Sequence, residues 1–303
     1  MHRSRTILTS LVAILGILAL MVGMLPVTGE ALAQQTKPAA EQPKGHRHGD
    51  PKKIADPKSK GAPGYQARGL KCYGTGTDGV RIQAIHVRKS GGNNTFVLST
   101  ARTELGEADS WFNANAQLSN NQTRHLRYVH NSSCQPIIPT VVLSSSVNLN
   151  NDIQVVDAMR ALGYNASDRK YLLFVDSVHP DYCGVGDLWE DDSKVQSNLN
   201  NQGNMFAVAW SGCWDDVTLA HEMVHFLGGV QDSAPHSTLK GHCYDEKDFV
   251  CYNDGGAGWQ NVADTCSVRV LDCGRDDFMR VSPDPGMYLY DYWNIAYNQY
   301  MGT

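Results

Sequence analysis

The chain has 303 residues, 42% of them apolar, a formal net charge of −5 and eight cysteines. Its length and apolar content exclude a disordered chain and allow one domain with a sizeable core. The negative charge, with no basic stripe interleaved with aromatics, excludes a nucleic-acid binder.

At the N-terminus, Arg3 and Arg5 precede an uncharged apolar run from Leu11 to Leu25; Pro26 breaks the run, and Ala31-Leu32-Ala33 fits a signal-peptidase site. The run is short for a spanning helix. Residues 1–33 are therefore expected to be a signal peptide, with an uncleaved membrane anchor as the alternative. Residues 34–64 are rich in Lys, Pro, Gly and Ala and predict a flexible basic linker or pro-segment, with His46 and His48 solvated within it. Residues 65–303 are expected to form one secreted domain, monomeric and without a stable membrane span after signal cleavage.

Within that domain, Val80–Arg88 alternates as a strand does, Thr100–Gln117 has helical spacing, and Leu126–Val129 suits a short strand. Asn150-Asn151-Asp152 starts a second helix that Gly163 stops, and Lys170–Val178 is the most apolar strand, expected at the centre of a sheet. Phe206–Trp210 is a further strand, open to two readings: an edge that an extended peptide can pair with, or an interior strand. Beyond Gly229 the chain is rich in Gly, Asp, Cys and Pro and should be irregular until a last helix at Met287–Tyr300. Residues 74–79 and Ser144-Ser145-Ser146 suit turns and loops, not a phosphate cradle or a nucleophile.

The cysteines are Cys72, Cys134, Cys183, Cys213, Cys243, Cys251, Cys266 and Cys273. None forms a CxxC pair, so a zinc ribbon is excluded and four disulfides in an oxidising compartment are expected, their pairing left open.

The densest chemical signal is His221-Glu222-Met223-Val224-His225-Phe226-Leu227-Gly228. Histidines four apart share one helix face and can grip one metal ion, and the glutamate between them is placed to act on a metal-bound water. Around them the helix is apolar on nearly every side. It should be buried, and two imidazoles and a carboxylate are costly to bury without partners. An aspartate in Cys213-Trp214-Asp215-Asp216 caps its start and Gly228 its end.

A third ligand must come from beyond Gly228. His236, an imidazole preceded by the turn-fixing Pro235, is the first choice, and Asp232 the second. Gln231, His242 and Glu246 stay open behind them. The acidic pairs Asp191-Asp192 and Asp276-Asp277 suit solvated loops better than calcium sites.

The stretch HEMVHFLGG resembles the zinc helix of the metzincin metallopeptidases, whose pattern is HExxHxxGxxH or HExxHxxGxxD. With GGVQDSAPH it is similar to a group of small secreted bacterial proteins sharing an HExxHxxGxVQxSAPH signature. The resemblance runs from about Leu70 to the C-terminus. Two positions depart from the metzincin pattern: Gln231 stands where the third ligand is expected, and Val250 stands where the family has the methionine of a turn beneath the metal. The resemblance implies an α+β fold of the zincin type. A mixed twisted sheet with helices and a buried zinc-binding helix would be followed by an irregular, disulfide-rich C-terminal part. It also implies one catalytic Zn2+ held by His221, His225 and a third ligand, Glu222 as general base, and Tyr252 beside the metal. The expected activity is a secreted zinc-dependent endopeptidase acting on extracellular protein or peptide. The alternative is a secreted binding module with a structural, non-catalytic zinc.

Overall fold

The computed structural model describes residues 64–66, 69–245, 247–257 and 266–303. The expected signal peptide and nearly all of the linker lie outside these residues. Among the described residues no helix is long and apolar enough to cross a membrane.

A five-stranded sheet organises the domain. Its strands are β1 (Arg81–Lys89), β3 (Thr140–Leu143), β4 (Arg169–Val175), β5 (Gly184–Gly186) and β6 (Met205–Trp210), in the order β3-β1-β4-β6-β5. The first four in that order run parallel; β5 closes one edge antiparallel to β6, with Gly184 opposite Ala209 and Gly186 opposite Ala207. Strand β4 is central, as its unbroken apolar run predicts. Strand β6 is interior, which settles its two readings; the edge belongs to β5, too short for periodicity to reveal.

Period-two alternation divides the core in two. Ile82, Ala84, Leu172, Phe174, Ala207 and Ala209 face α1 (Leu98–Gln117) and α3 (Asp216–Leu227). Their neighbours Ile85, Val87, Leu173, Val175, Val208 and Trp210 face α2 (Asp152–Ala161). The alanines at 84, 207 and 209 leave room for the two helices on that side. Both shorter helices begin at predicted caps: Asn151 accepts from the Gln154 amide, and Asp215 from the Thr218 amide.

The chain beyond α3 is mostly irregular, and here one expectation fails. Met287–Tyr300 is not one helix. It forms the short α4 (Tyr288–Asp291), a 3-10 turn at Ile295–Tyr297, and β7 (Met301–Gly302), which pairs antiparallel with β2 (His125–Leu126). Side chains fix this path. Asn294 Oδ1 accepts from the Arg280 and Ala296 amides, while Trp293 Nε1 and Asn298 Nδ2 both donate to the Leu227 carbonyl. Tertiary bonds from asparagines displace local helical ones.

All eight cysteines pair: Cys72–Cys134, Cys183–Cys213, Cys243–Cys251 and Cys266–Cys273. The protein thus has the composition of one built for an oxidising, extracellular setting.

Candidate metal centre

Helix α3 is buried along its whole length, as its composition requires. At its C-terminal end each exposed carbonyl finds a donor. The Val224 and His225 carbonyls accept from the Gly229 and Gly228 amides, Phe226 from Lys170 Nζ, Leu227 from Trp293 and Asn298, and Gly228 from Gln231 Nε2 at 2.9 Å. Gly228 adopts φ 104°, a left-handed conformation suited to glycine. The Gln231 side chain also donates to the Trp189 carbonyl. It caps the helix at the position where the metzincin pattern has its third ligand.

His221, His225 and His242 come together, one ring nitrogen of each within 4.8 Å of the others, and all three are buried. Their Nδ1 atoms engage oxygen atoms that only accept: His221 donates to the Phe249 carbonyl at 2.8 Å, His225 to the Gly229 carbonyl at 3.1 Å, and His242 to Asp254 Oδ2 at 3.0 Å. Each ring therefore carries its proton on Nδ1 and offers Nε2 as ligand. The Nε2 atoms of His221 and His225 are 3.0 Å apart. Two lone pairs facing at that distance repel unless a cation lies between them, so the donor set fits a metal ion.

His236 does not join them. Its amide and Nδ1 donate to Asp277 Oδ1 and Oδ2 at 3.0 and 2.9 Å, a two-point clamp that turns the ring away from α3. The hydrogen bond and charge of Asp277 raise its pKa to about 9. Asp232, the second choice, is exposed, with its amide on Glu190. Glu246 lies outside the described residues. His242, next to Cys243 of the Cys243–Cys251 disulfide, stands with His221 and His225 instead. Asp254 then locks the ring. Burial pushes that carboxyl upward, but hydrogen bonds from His242, Thr238 and the Gly256 amide outweigh it and hold it below the usual range.

Val250, like its neighbour Phe249, is fully buried in the core. Tyr252 stands next to His242, ring centroids 4.4 Å apart, and 6.3 Å from His221. Glu222 is buried against β5. A Cβ at Gly184 would overlap its carboxylate, and one at Gly186 would come within 2.7 Å of the Glu222 carbonyl and of His225 Cβ. Sequence reasoning missed Asp254, Gly184 and Gly186. The first had a signal in the Gly-His-Cys and Cys-Tyr-Asn-Asp segments that bracket the disulfide; the glycines had none.

Fold and site together define a protein with an HExxH helix and a three-histidine cluster able to hold a metal. No family model matches the chain, and no curated protein matches it. Among solved structures it is similar to metalloproteinase-II from Bacteroides fragilis, at 17% identity over 71% of this chain and 60% of that one, with a TM-score of 0.30. It is also similar to a chain in a chaperone-substrate complex, at 15% identity over 64% of this chain and 32% of that one, with a TM-score of 0.31. The chain thus spans less than two thirds of either structure.

Proposed function

We propose that this protein is an exported zinc-dependent endopeptidase of metzincin-like type, with residues 1–33 as its signal peptide and residues 65–303 as its catalytic domain. The observation that carries this reading is the set of three buried imidazoles, each oriented by an oxygen acceptor on Nδ1, on and beneath a helix that also bears Glu222. His221, His225 and His242 would hold the ion. Zinc bound there would supply Lewis acidity, acidifying water and polarising a scissile carbonyl.

Glu222 lies next to His221 in sequence, and its carboxylate packs against Gly184 of β5. Its carboxylate is proposed to take the proton of the attacking water and return it to the leaving amine. Strand β5 ends the sheet, and its outer edge can pair with an extended peptide, which would bring a backbone past Glu222. Tyr252, on the side of His242, is proposed to steady the developing oxyanion.

Zinc content and casein hydrolysis of the full-length chain test this. His242→Ala should lose both, and His236→Ala should keep both. Glu222→Gln should keep zinc and lose about 100-fold or more in rate. A chain that holds one zinc yet cleaves no peptide would favour the binding module with a structural zinc.

A further inference from the structure

His86 and Asp176 take no part in the histidine cluster. His86 lies near the carboxyl end of β1, and Asp176 directly follows β4. The chain leaves β1 toward β3 on one side and leaves β4 toward β6 on the other, so the connections reverse direction between these neighbouring strands. Open sheets bind ligands at such a point, in the crevice outside the carboxyl ends of the strands.

Both residues are buried, His86 at 1% and Asp176 at 6% exposure. Asp176 is fixed by Thr95, whose amide donates to Oδ2 and whose hydroxyl donates to Oδ1, both at 2.7 Å. Both carboxyl oxygens therefore act as acceptors. His86 Nε2 lies 3.5 Å from Asp176 Oδ2 and meets no other hydrogen-bond partner among the described residues. A ring nitrogen that faces only an acceptor carries the proton. Nδ1 then keeps its lone pair, and it faces Thr140 Oγ1 at 3.1 Å. Phe96 stacks on the ring and holds its plane, with centroids 4.3 Å apart and planes 8° from parallel. Burial lowers the pKa of the ring, opposed in part by Asp176, so the imidazole is neutral and able to accept a proton.

Thr140, by contrast, is exposed, and it stands opposite His86 in register on the edge strand β3. A hydroxyl open to solvent, a neutral imidazole accepting from it and a carboxylate behind the imidazole are the parts of a nucleophilic centre. We propose that Thr140, His86 and Asp176 form a second, metal-independent centre that hydrolyses activated carboxylic esters. Thr140 Oγ1 attacks the ester carbonyl as its proton passes to His86 Nδ1, and Asp176 stabilises the imidazolium. His86 returns that proton to the leaving alkoxide as the ester C–O bond breaks, and the acyl group stays on Thr140. Water, giving a proton to His86, then attacks the acyl carbonyl; the carboxylic acid leaves, and the imidazolium proton restores the Thr140 hydroxyl. The His86 amide bonds the Pro139 carbonyl, and in a parallel ladder that register turns the Thr140 amide outward, where it can donate to the oxyanion. Val142, two residues along β3 and so on the same face, is 47% exposed and offers an apolar surface to a short acyl chain.

The test exposes the full-length chain, with and without EDTA, to p-nitrophenyl acetate and to an ethoxy fluorophosphonate, which phosphonylates a nucleophilic hydroxyl with loss of fluoride. Release of p-nitrophenol that survives EDTA is expected, and peptide mass mapping should place the phosphonyl group on Thr140. Thr140→Ala should lose both signals, and Thr140→Ser should keep both. His86→Gln should lower both by about 100-fold or more. Should that buried variant fail to fold, the two Thr140 variants, at an exposed edge position, decide the matter. The proposal is overturned if the native chain carries no adduct on Thr140, or if Thr140→Ala releases p-nitrophenol at the native rate. Release that stops with EDTA and survives Thr140→Ala would belong to the zinc site and overturns it equally.

Discussion

His242 donates Nδ1–H to Asp254 Oδ2 over 3.0 Å, with both side chains almost wholly inside the protein. Asp254 also accepts from Thr238 Oγ1 at 2.7 Å and from the Gly256 amide at 2.8 Å, so the carboxylate is itself immobile. The tautomer and direction of the third histidine are therefore fixed before any metal arrives. Loss of such an outer partner typically costs about 10–100-fold in metal affinity. Asp254→Ala should lower zinc affinity by about that factor, measured by competition with a chromogenic chelator. Asp254→Asn, which keeps an acceptor oxygen but no charge, should lose less. Unchanged affinity in both would mean that His242 is not a ligand.

A second dependence links the edge strand to the proposed base. Gly184 has ordinary backbone torsions, so its need is for space alone: Glu222 occupies the volume of the missing side chain. Forcing a methyl group into a packed site costs about 1–3 kcal/mol, and here the strain falls on the carboxylate and the strand together. Gly184→Ala should reduce hydrolysis at least tenfold while zinc content stays at that of the native chain. Equal loss of zinc and rate would indicate that α3 itself has been displaced, and native rates would show that β5 does not hold Glu222 in place.

These two relationships also show what pattern can and cannot reveal. Helix α3, its Asp215 cap, its Gly228 stop and the two histidines on one face were legible because they are local, set by spacing along one helix. The central place of β4 was legible from its unbroken apolar run. The third histidine of the cluster was not. His236 and His242 are both imidazoles in irregular chain, and the choice between them is made by Asp277 and Asp254, partners 41 and 12 residues away. Gln231 was visible as a departure from the metzincin pattern, but its work, closing the end of α3 by bonding the Gly228 and Trp189 carbonyls, depends on a loop 42 residues upstream. The last helix failed for the same reason: Trp293 and Asn298 both donate to the Leu227 carbonyl at the distant end of α3.

The same helix end rests on a buried lysine. Lys170, fully enclosed in β4, donates to the Phe226 carbonyl, with its Nζ 2.8 Å from Met205 Sδ and 5.0 and 5.5 Å from the ring centroids of Tyr300 and Phe226. Burial drives its pKa well below the ordinary 10.5, opposed in part by Asp187. The sign of the effect follows from proton counts. Between the lowered folded value and 10.5 the unfolded chain holds a proton that the folded chain lacks, so this residue's contribution to stability rises with pH until the unfolded lysine also deprotonates. Lys170→Met removes the titration. His236 and other groups change stability over the same range, so the informative quantity is the stability of the native chain minus that of the variant. From denaturant titrations at pH 7 and pH 9.5, that difference should shift in favour of the native chain as pH rises. A difference that does not change with pH would mean that Lys170 stays protonated in the fold, held as a cation against the carbonyl end of α3, where the helix dipole favours positive charge.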